Sequence, residues 1–371
     1  MTTQPTTTLK TLSVRVKDKH AKVLSRMAFE VNQVWNLANE LSYEAWHIPV
    51  PEVGWVQGTW QLSAFDIQKA LAGINKAHGW MIGSATIQEV IAVHGKSRHQ
   101  FKSSKLRWRV SNGSKRNLGW IPFKARAARF EGGKVRFAGQ SFGVWDSYGL
   151  DNYKFRAGSF AQDARGRWYF NICVEAPVEN RLPTGATAIG INLGLKDVAI
   201  CSDGERLEAK RLYRSLEAKL GIAQRAGKTD RVRAIHARIR NRRKDALHQF
   251  SSHLVKANAA IFVGNVSSSR LAKTRMAKSV LDAGWSMLRT QLQYKAIAHG
   301  VVFEEVNEAY TTQACSCCGS IGQSSPKGRA GLGIREWTCE DCGAVRDRDI
   351  NAARNILALG HQRLAGGIPR L

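Results

Sequence analysis

Acidic residues are scarce in this 371-residue chain. Only 29 Asp and Glu stand against 56 Lys and Arg, a formal net charge of +27. The pI is near 10.2. An enzyme of small metabolites has no use for such self-repulsion; a polyanionic partner offsets it, and nucleic acid is the leading candidate. Long apolar runs are missing too. The cleanest, such as "AAIFV" at 259–263, span only a strand, well short of the ~20 apolar residues that cross a bilayer. The opening "MTTQPTTT" lacks the apolar core of a secretory signal and reads as a short disordered lead-in. The expectation is a cytoplasmic protein, in which seven cysteines point to metal binding before disulfides.

Four of those cysteines have metal-site spacing. Cys315, Cys318, Cys339 and Cys342 form C-x2-C-x20-C-x2-C, and each pair runs into a glycine, in "CSCCGS" and "CEDCGA". Two such knuckles bring four thiolates to one tetrahedral Zn²⁺ and leave no open position, so the expected role is structural. Cys317 is a spare thiol. Cys173 and Cys201 lie in apolar, strand-like runs and are expected in the core.

Periodicity organises the rest. "TLSVRVKD" alternates like a strand. Leu24, Met27, Val31, Val34, Trp35, Ala38 and Leu41 then recur at helical steps, and "IPVPEVGW" breaks the pattern. A second helical stretch is expected over about 61–94, with Phe29 and the tryptophans of this region in the core. Residues 95–136 carry 13 Lys or Arg and one acid, Glu131, with Phe101, Trp108, Trp120, Phe123 and Phe130 interleaved. That mixture suits phosphate contact with base or sugar stacking. Lys105, Arg107, Arg109, Lys115, Arg116, Lys124 and Arg126 are the candidate contacts. Strand-like alternation makes 106–178 a small β domain, and "VENRLPTG" reads as a linker.

From Ala186 the order becomes strand, strand, long helices, strand, helix, strand, with strands near 188–193, 197–202, 259–263 and 300–306. Leu212, Leu216, Leu220 and Ala223, then Val232, Ile235 and Ile239, suggest a helical hairpin inserted in an α/β domain. Its exposed face is expected to carry Arg231, Arg233, Arg238, Arg240, Arg242, Arg243 and Lys244, a density that fits a second phosphate-backbone surface. Asp347 and Asp349 open a last helix running to about Leu359. Asp349 suits either a helix cap or a divalent cation.

The segments "GINLGLKDVAICSDG", "NRRKDALHQFSSHLV", "YTTQACSCCG", "WTCEDCG" and "DRDINAARNIL" resemble the transposon-encoded TnpB family, itself similar to type V CRISPR effectors. The likeness is dense over about 186–360 and looser before it. It implies a multidomain α/β plus β chain. A β-barrel wedge domain (1–18 and 106–180) would hold an inserted helical recognition domain (19–105). A RuvC-like RNase H-fold domain (186–310 and 346–371) would hold a zinc ribbon (311–345). The resemblance also implies a guide RNA, a double-stranded DNA target with a short adjacent motif, and a nucleoid-associated place in the cell.

The family's nuclease takes an Asp, a Glu and an Asp from three elements. These map to Asn192, Gly264 and Asp349, so only the third is intact. Glu308, or less readily Glu305, is a candidate displaced glutamate. A carboxylate bridging two Mg²⁺ offers two anionic oxygens, whereas asparagine offers one neutral oxygen and an NH2 donor. The leading expectation is therefore a nuclease-dead, TnpB-like repressor acting by target occupancy, with Mg²⁺ required only if the site is active. One alternative is an RNA-guided endonuclease with a rearranged glutamate, Asn192 being an introduced inactivating change. Another is a non-guided accessory DNA-binding protein of a transposon.

Overall fold

A computed structural model describes residues 7–46, 62–103, 105–178, 187–328 and 330–365. The break at "IPVPEVGW" and nearly all of the "VENRLPTG" linker lie outside them. The chain divides into two compact units, one of residues 9–176 and one of residues 177–371 with 1–8.

The first unit opens with β1 (Thr7–Val16), which starts inside the segment expected as a disordered lead-in. In α1 (Ala21–Trp46) the helical stripe from Leu24 to Ala38 is buried, while Phe29 is 45% exposed and does not join the core. The stretch expected as one helix is three: α2 (Ala64–Ala70), α3 (Ile74–Ala77) and α4 (Ser84–Phe101). Gly73 and Gly79, at φ of +79° and +60°, end the turns that a continuous helix would need. Ser63 and Asp66 start α2 with a reciprocal capping box.

Strands β2 (Trp120–Phe123), β3 (Ala128–Glu131), β4 (Lys134–Phe137), β5 (Gln140–Trp145), β6 (Phe155–Gln162) and β7 (Trp168–Pro177) join β1. Their order is β2-β6-β7-β1-β5-β4-β3, a nearly closed, barrel-like sheet. Its core is aromatic. Phe160 lies 5.9, 5.2 and 5.1 Å, between ring centroids, from Phe123, Phe142 and Phe170. Phe123 is therefore a core residue, not a stacking platform for bases. Helices and sheet share one hydrophobic core.

The second unit is α/β. Strands β8 (Thr187–Leu193), β9 (Asp197–Cys201) and β10 (Arg206–Glu208) are antiparallel neighbours. The hairpin of α5 (Leu212–Arg225) and α6 (Thr229–Ala257) follows, closed by Leu220, Ala223, Ile235 and Ile239. Next come β11 (Asn258–Gly264), α7 (Ser268–Leu271), α8 (Ala277–Ala283), α9 (Trp285–His299) and β12 (Val302–Val306). The sheet order is β10-β9-β8-β11-β12, with β8, β11 and β12 parallel. A two-stranded ribbon, β13 (Glu336–Thr338) and β14 (Val345–Asp347), leads to α10 (Arg348–Ala365), which runs beyond the expected end at Leu359.

Both faces of β8 are covered, as a central parallel strand requires. Ile189, Ile191 and Leu193 pack in one core with Leu247, Leu254, Leu288 and Leu292 of α6 and α9. The alternate residues, Gly190 and Asn192, turn to the opposite face, where α10 lies. Of the two cysteines expected in the core, Cys201 is buried and Cys173 only half-buried.

Candidate active site, metal centre and nucleic-acid surface

Helix α10 seats directly on the backbone of β8. A Cβ at Gly190 would lie 2.2 Å from the Ala353 carbonyl oxygen and 2.6 Å from the Leu357 nitrogen. On β11, Phe262 pairs with Gly190 and Val263 with Ile191, so Gly264 follows level with Asn192. Gly360 packs on the Phe262 ring and Ile356 reaches Gly264. Asp349, Ala353, Ile356 and Gly360 form one stripe of α10 at three- and four-residue steps. The topology thus brings the first turn of α10, with Asp349, toward the C-terminal ends of β8 and β11, where Asn192 and Gly264 stand.

Glu308 fills the space that Gly264 leaves. A Cβ added at position 264 would meet Glu308 Oε2 at 2.2 Å and Glu308 Cβ at 3.2 Å. A glutamate two residues past β12 therefore lays its carboxyl where a side chain on β11 would begin. Burial raises its pKa, against the pull of Arg289 and the Val266 N–H. Its Oε2 is buried with no hydrogen-bond partner among the described residues.

Of the other polar groups here, Asp349, Asp347 and Asp197 are paired with arginines. Asn192 is 8% exposed and carries no charge. Asp349 accepts from Arg335 at 3.0 Å, with Arg348 Nε at 3.9 Å. The cap of α10 is Asp347, not Asp349: its Oδ1 accepts from the N–H groups of Asp349 (2.9 Å) and Ile350 (3.0 Å). Arg206 bridges Asp347, at 3.1 Å, and Asp197, at 3.4 Å. Burial works to raise the Asp347 pKa, but the Ile350 N–H, Arg206 and the Asp349 N–H hold it below the ordinary value. Asp203 is used locally, accepting from the Glu205 N–H at 2.9 Å. These side chains do not fit a pair of divalent cations. One position is neutral, one carboxyl has its pKa raised by burial, and one carboxylate faces a guanidinium.

The four cysteines do fit a metal such as zinc. Their sulfurs all lie within 4.8 Å of one another. Cys315–Cys342 and Cys318–Cys339 are each 3.7 Å apart. Four sulfurs at ~2.3 Å around a tetrahedral ion stand about 3.8 Å apart, the same spacing. Cys315 and Cys339 are buried with Trp337, whereas Cys317 is exposed and outside the set.

The expected phosphate contacts divide by orientation. Lys105, Arg107, Lys115, Arg116, Lys124 and Arg126 are exposed, and Trp108 beside them is 40% exposed. Arg109 turns inward, its guanidinium 4.4 Å from the Trp35 ring and 4.8 Å from Trp120. On α6, Arg231, Arg238, Arg242 and Lys244 are exposed. Arg243 is not on that face: it donates to the Leu281 carbonyl and lies 3.8 Å from Asp282.

A bracket on α1 was missed in the sequence. Asn39 takes both backbone groups of Leu106, accepting from its N–H at 2.7 Å and donating to its C=O at 2.8 Å. Asn36 does the same for Arg109, at 2.8 and 3.0 Å. Asparagines at 32, 36 and 39, amid an apolar stripe, were the available signal. Arg335 and Arg206 had none, because their acidic partners are distant in sequence.

Two family models match. One, described as "Cas12f1-like, TNB domain", covers residues 285–356. The other, described as "Probable transposase", covers residues 171–275. A Streptomyces pristinaespiralis protein provisionally named RNA-guided DNA endonuclease is 28% identical over 92% of this chain and 87% of its own. The TnpB-like protein L79 of Acanthamoeba polyphaga mimivirus is 31% identical over 35% of this chain and 25% of its own. The Cas12f1 chain of a cryo-EM Cas12f1–sgRNA–target DNA complex shares the fold, with a TM-score of 0.58 and 12% identity over 95% of this chain and 99% of that one. On these matches, and on the motifs that carry them, the chain is similar to the TnpB family.

Proposed function

We propose that this protein binds a guide RNA and, through it, a double-stranded DNA target with a short adjacent motif, and that it occupies the target without cutting it. Bound at a promoter, it would repress transcription. In this reading the sheet of the first unit is the wedge domain and its helices the recognition domain. The α/β unit is a RuvC-like nuclease scaffold. The sheet order, with three antiparallel strands leading into two parallel ones, supports that scaffold. The four cysteines hold a structural Zn²⁺ in the ribbon, where four sulfur ligands leave no site for chemistry.

The observation that carries the proposal is Asn192. It stands on the α10 face of β8, level with Gly264, where the family's first carboxylate belongs. An asparagine there leaves the site a charge short, and the Asp349–Arg335 pair puts a guanidinium where a cation would sit. The basic surfaces that target binding needs remain: a net charge of +27 with exposed rows on both units.

One observation favours a second reading. Glu308 occupies the space over Gly264, as a displaced catalytic glutamate would. In that reading the protein is an endonuclease with a rearranged glutamate.

The test of guiding is the RNA that co-purifies with the protein from its host. A single defined RNA species, and binding of duplexes only when they match its end, is the expected result. Random RNA fragments with sequence-independent duplex binding would reject the proposal.

A further inference from the structure

On the flank of the α/β unit, α5, α6, α8 and the β9–β10 edge enclose a cavity of about 680 Å³, within the size of ordinary small-ligand sites (~300–1,000 Å³). The acidic triad positions do not line it. Its walls are of two kinds. Leu195, Val198, Leu207, Leu212, Ala246 and Ala283 make an apolar floor. Lys196, Lys210, Arg211, Arg243 and Arg335 stand around it. A basic protein has solvated lysines everywhere, but a solvated face needs no concave apolar floor.

The charge in the cavity is not neutralised from within. Of its two acids, Asp282 is already engaged by the Tyr213 N–H, at 3.1 and 3.0 Å to its two oxygens, and faces Arg243. Lys196, Lys210 and Arg211 have no acidic partner among the described residues. Arg243, half-buried, keeps a buried Nε with no partner among them. Arg211 adopts a left-handed backbone, φ +42°, as it turns the chain from β10 into α5. Apolar floor and cationic rim together match one chemistry: a flat, weakly polar ring joined to a phosphate.

We propose that this cavity takes a single nucleotide, its base on the apolar floor and its phosphate on the Lys196–Lys210–Arg211 rim. The ligand is either one unstacked nucleotide of a nucleic-acid strand or a free nucleotide. The proposal rests on the nucleic-acid-binding reading above and adds a place where one base leaves its stack. It also links cavity and candidate nuclease site. Arg335 lines the cavity, and its guanidinium pairs with Asp349 at 3.0 Å, so one residue serves both places.

The test uses the ribonucleoprotein as purified and a short oligodeoxythymidylate carrying 5-bromodeoxyuridine. Irradiation, digestion and mass spectrometry then locate the crosslinks. The expected crosslinks fall within residues 195–214 or 243–247. Lys196→Glu/Lys210→Glu should lower their yield about tenfold, while the charge-matched Lys273→Glu/Arg275→Glu, on surface outside the cavity, lowers it far less. Ala246→Trp, which fills the floor without changing charge, should lower it as well. Competition by millimolar AMP assigns the cavity to a free nucleotide, and lack of competition assigns it to a strand. Crosslinks confined to other peptides, with yields equal in Ala246→Trp and wild type, would overturn the proposal. Such crosslinks would leave nucleic-acid binding itself intact; failure of the wild type to bind the oligonucleotide or any duplex would instead reject the broader reading.

Discussion

Replacing Gly190 by alanine tests how α10 is seated, and with it the face on which Asn192 stands. The new Cβ would lie 2.2 Å from the Ala353 carbonyl oxygen and 2.6 Å from the Leu357 nitrogen. Ordinary carbon–oxygen contacts are ~3.3–3.6 Å, so α10 must retreat by about 1 Å. Both obstacles are backbone atoms inside a helix and cannot rotate away. Overpacking costs ~1–3 kcal/mol, and this geometry belongs at the upper end. Loss of glycine's freedom in the unfolded chain returns ~0.4–1 kcal/mol. The net expectation is a loss of about 2 kcal/mol, or roughly 4–8 °C in Tm. Thermal and urea unfolding read it directly. Gly333, where an added Cβ meets nothing within 4 Å, is the control, and Gly333→Ala should stay within about 0.5 kcal/mol of wild type. If Gly190→Ala unfolds with the wild type, α10 does not sit on β8 at this depth, and the assignment of Asn192 to the site fails with it.

Other outcomes follow from single contacts. Cys339→Ser should reduce bound zinc from about one equivalent per chain to near zero by metal analysis, since three thiolates hold the ion far less tightly; unchanged content would contradict the four-sulfur site. Asn39→Ala strips both backbone groups of Leu106 of their partners and should cost about 2 kcal/mol in the urea midpoint, with a loss under about 0.5 kcal/mol counting against the bracket. His94 is enclosed by Trp35 and Asn39, and burial, helped by the charges of Arg98 and Arg109, holds its pKa down to about 4. Its folded pKa lies below its unfolded value of about 6.5, so its contribution is complete above that value and is lost as pH falls toward 4. The loss is on the order of 3 kcal/mol. A His94→Gln variant should flatten the dependence of unfolding on pH in this window, and an unchanged slope would show that His94 is not its source.

Much of this architecture is written in local pattern. The stripe from Leu24 to Ala38 is a buried helix face because its spacing is helical, and the alternation in "RWYFNICVEA" is β7 for the matching reason. The C-x2-C pairs were legible because a tetrahedral ion dictates their spacing. What escaped was decided by partners remote in sequence. Phe29 has an apolar side chain at a helical position, yet the described residues leave it 45% exposed. Arg109 and Arg243 read as phosphate contacts in basic runs, but Trp35 and Trp120 claim the first, and Leu281 and Asp282 the second. The cap of α10 fell to Asp347, two residues before the Asp349 read as its candidate. Glu308 was one of two candidate displaced glutamates in the sequence, beside Glu305. Its place over Gly264 depends on the register of β12 beside β11, which places Gly264 level with Val306.

In the proposed function the protein holds its target without cutting it. The most direct measurement incubates the purified ribonucleoprotein with Mg²⁺ and a duplex matched to its bound RNA, and scores retention and strand scission in the same sample. Stable, match-dependent retention with both strands intact is the expected result. Scission of the matched duplex by the wild-type protein, abolished by Glu308→Ala, would contradict it and establish the rearranged site as a working nuclease.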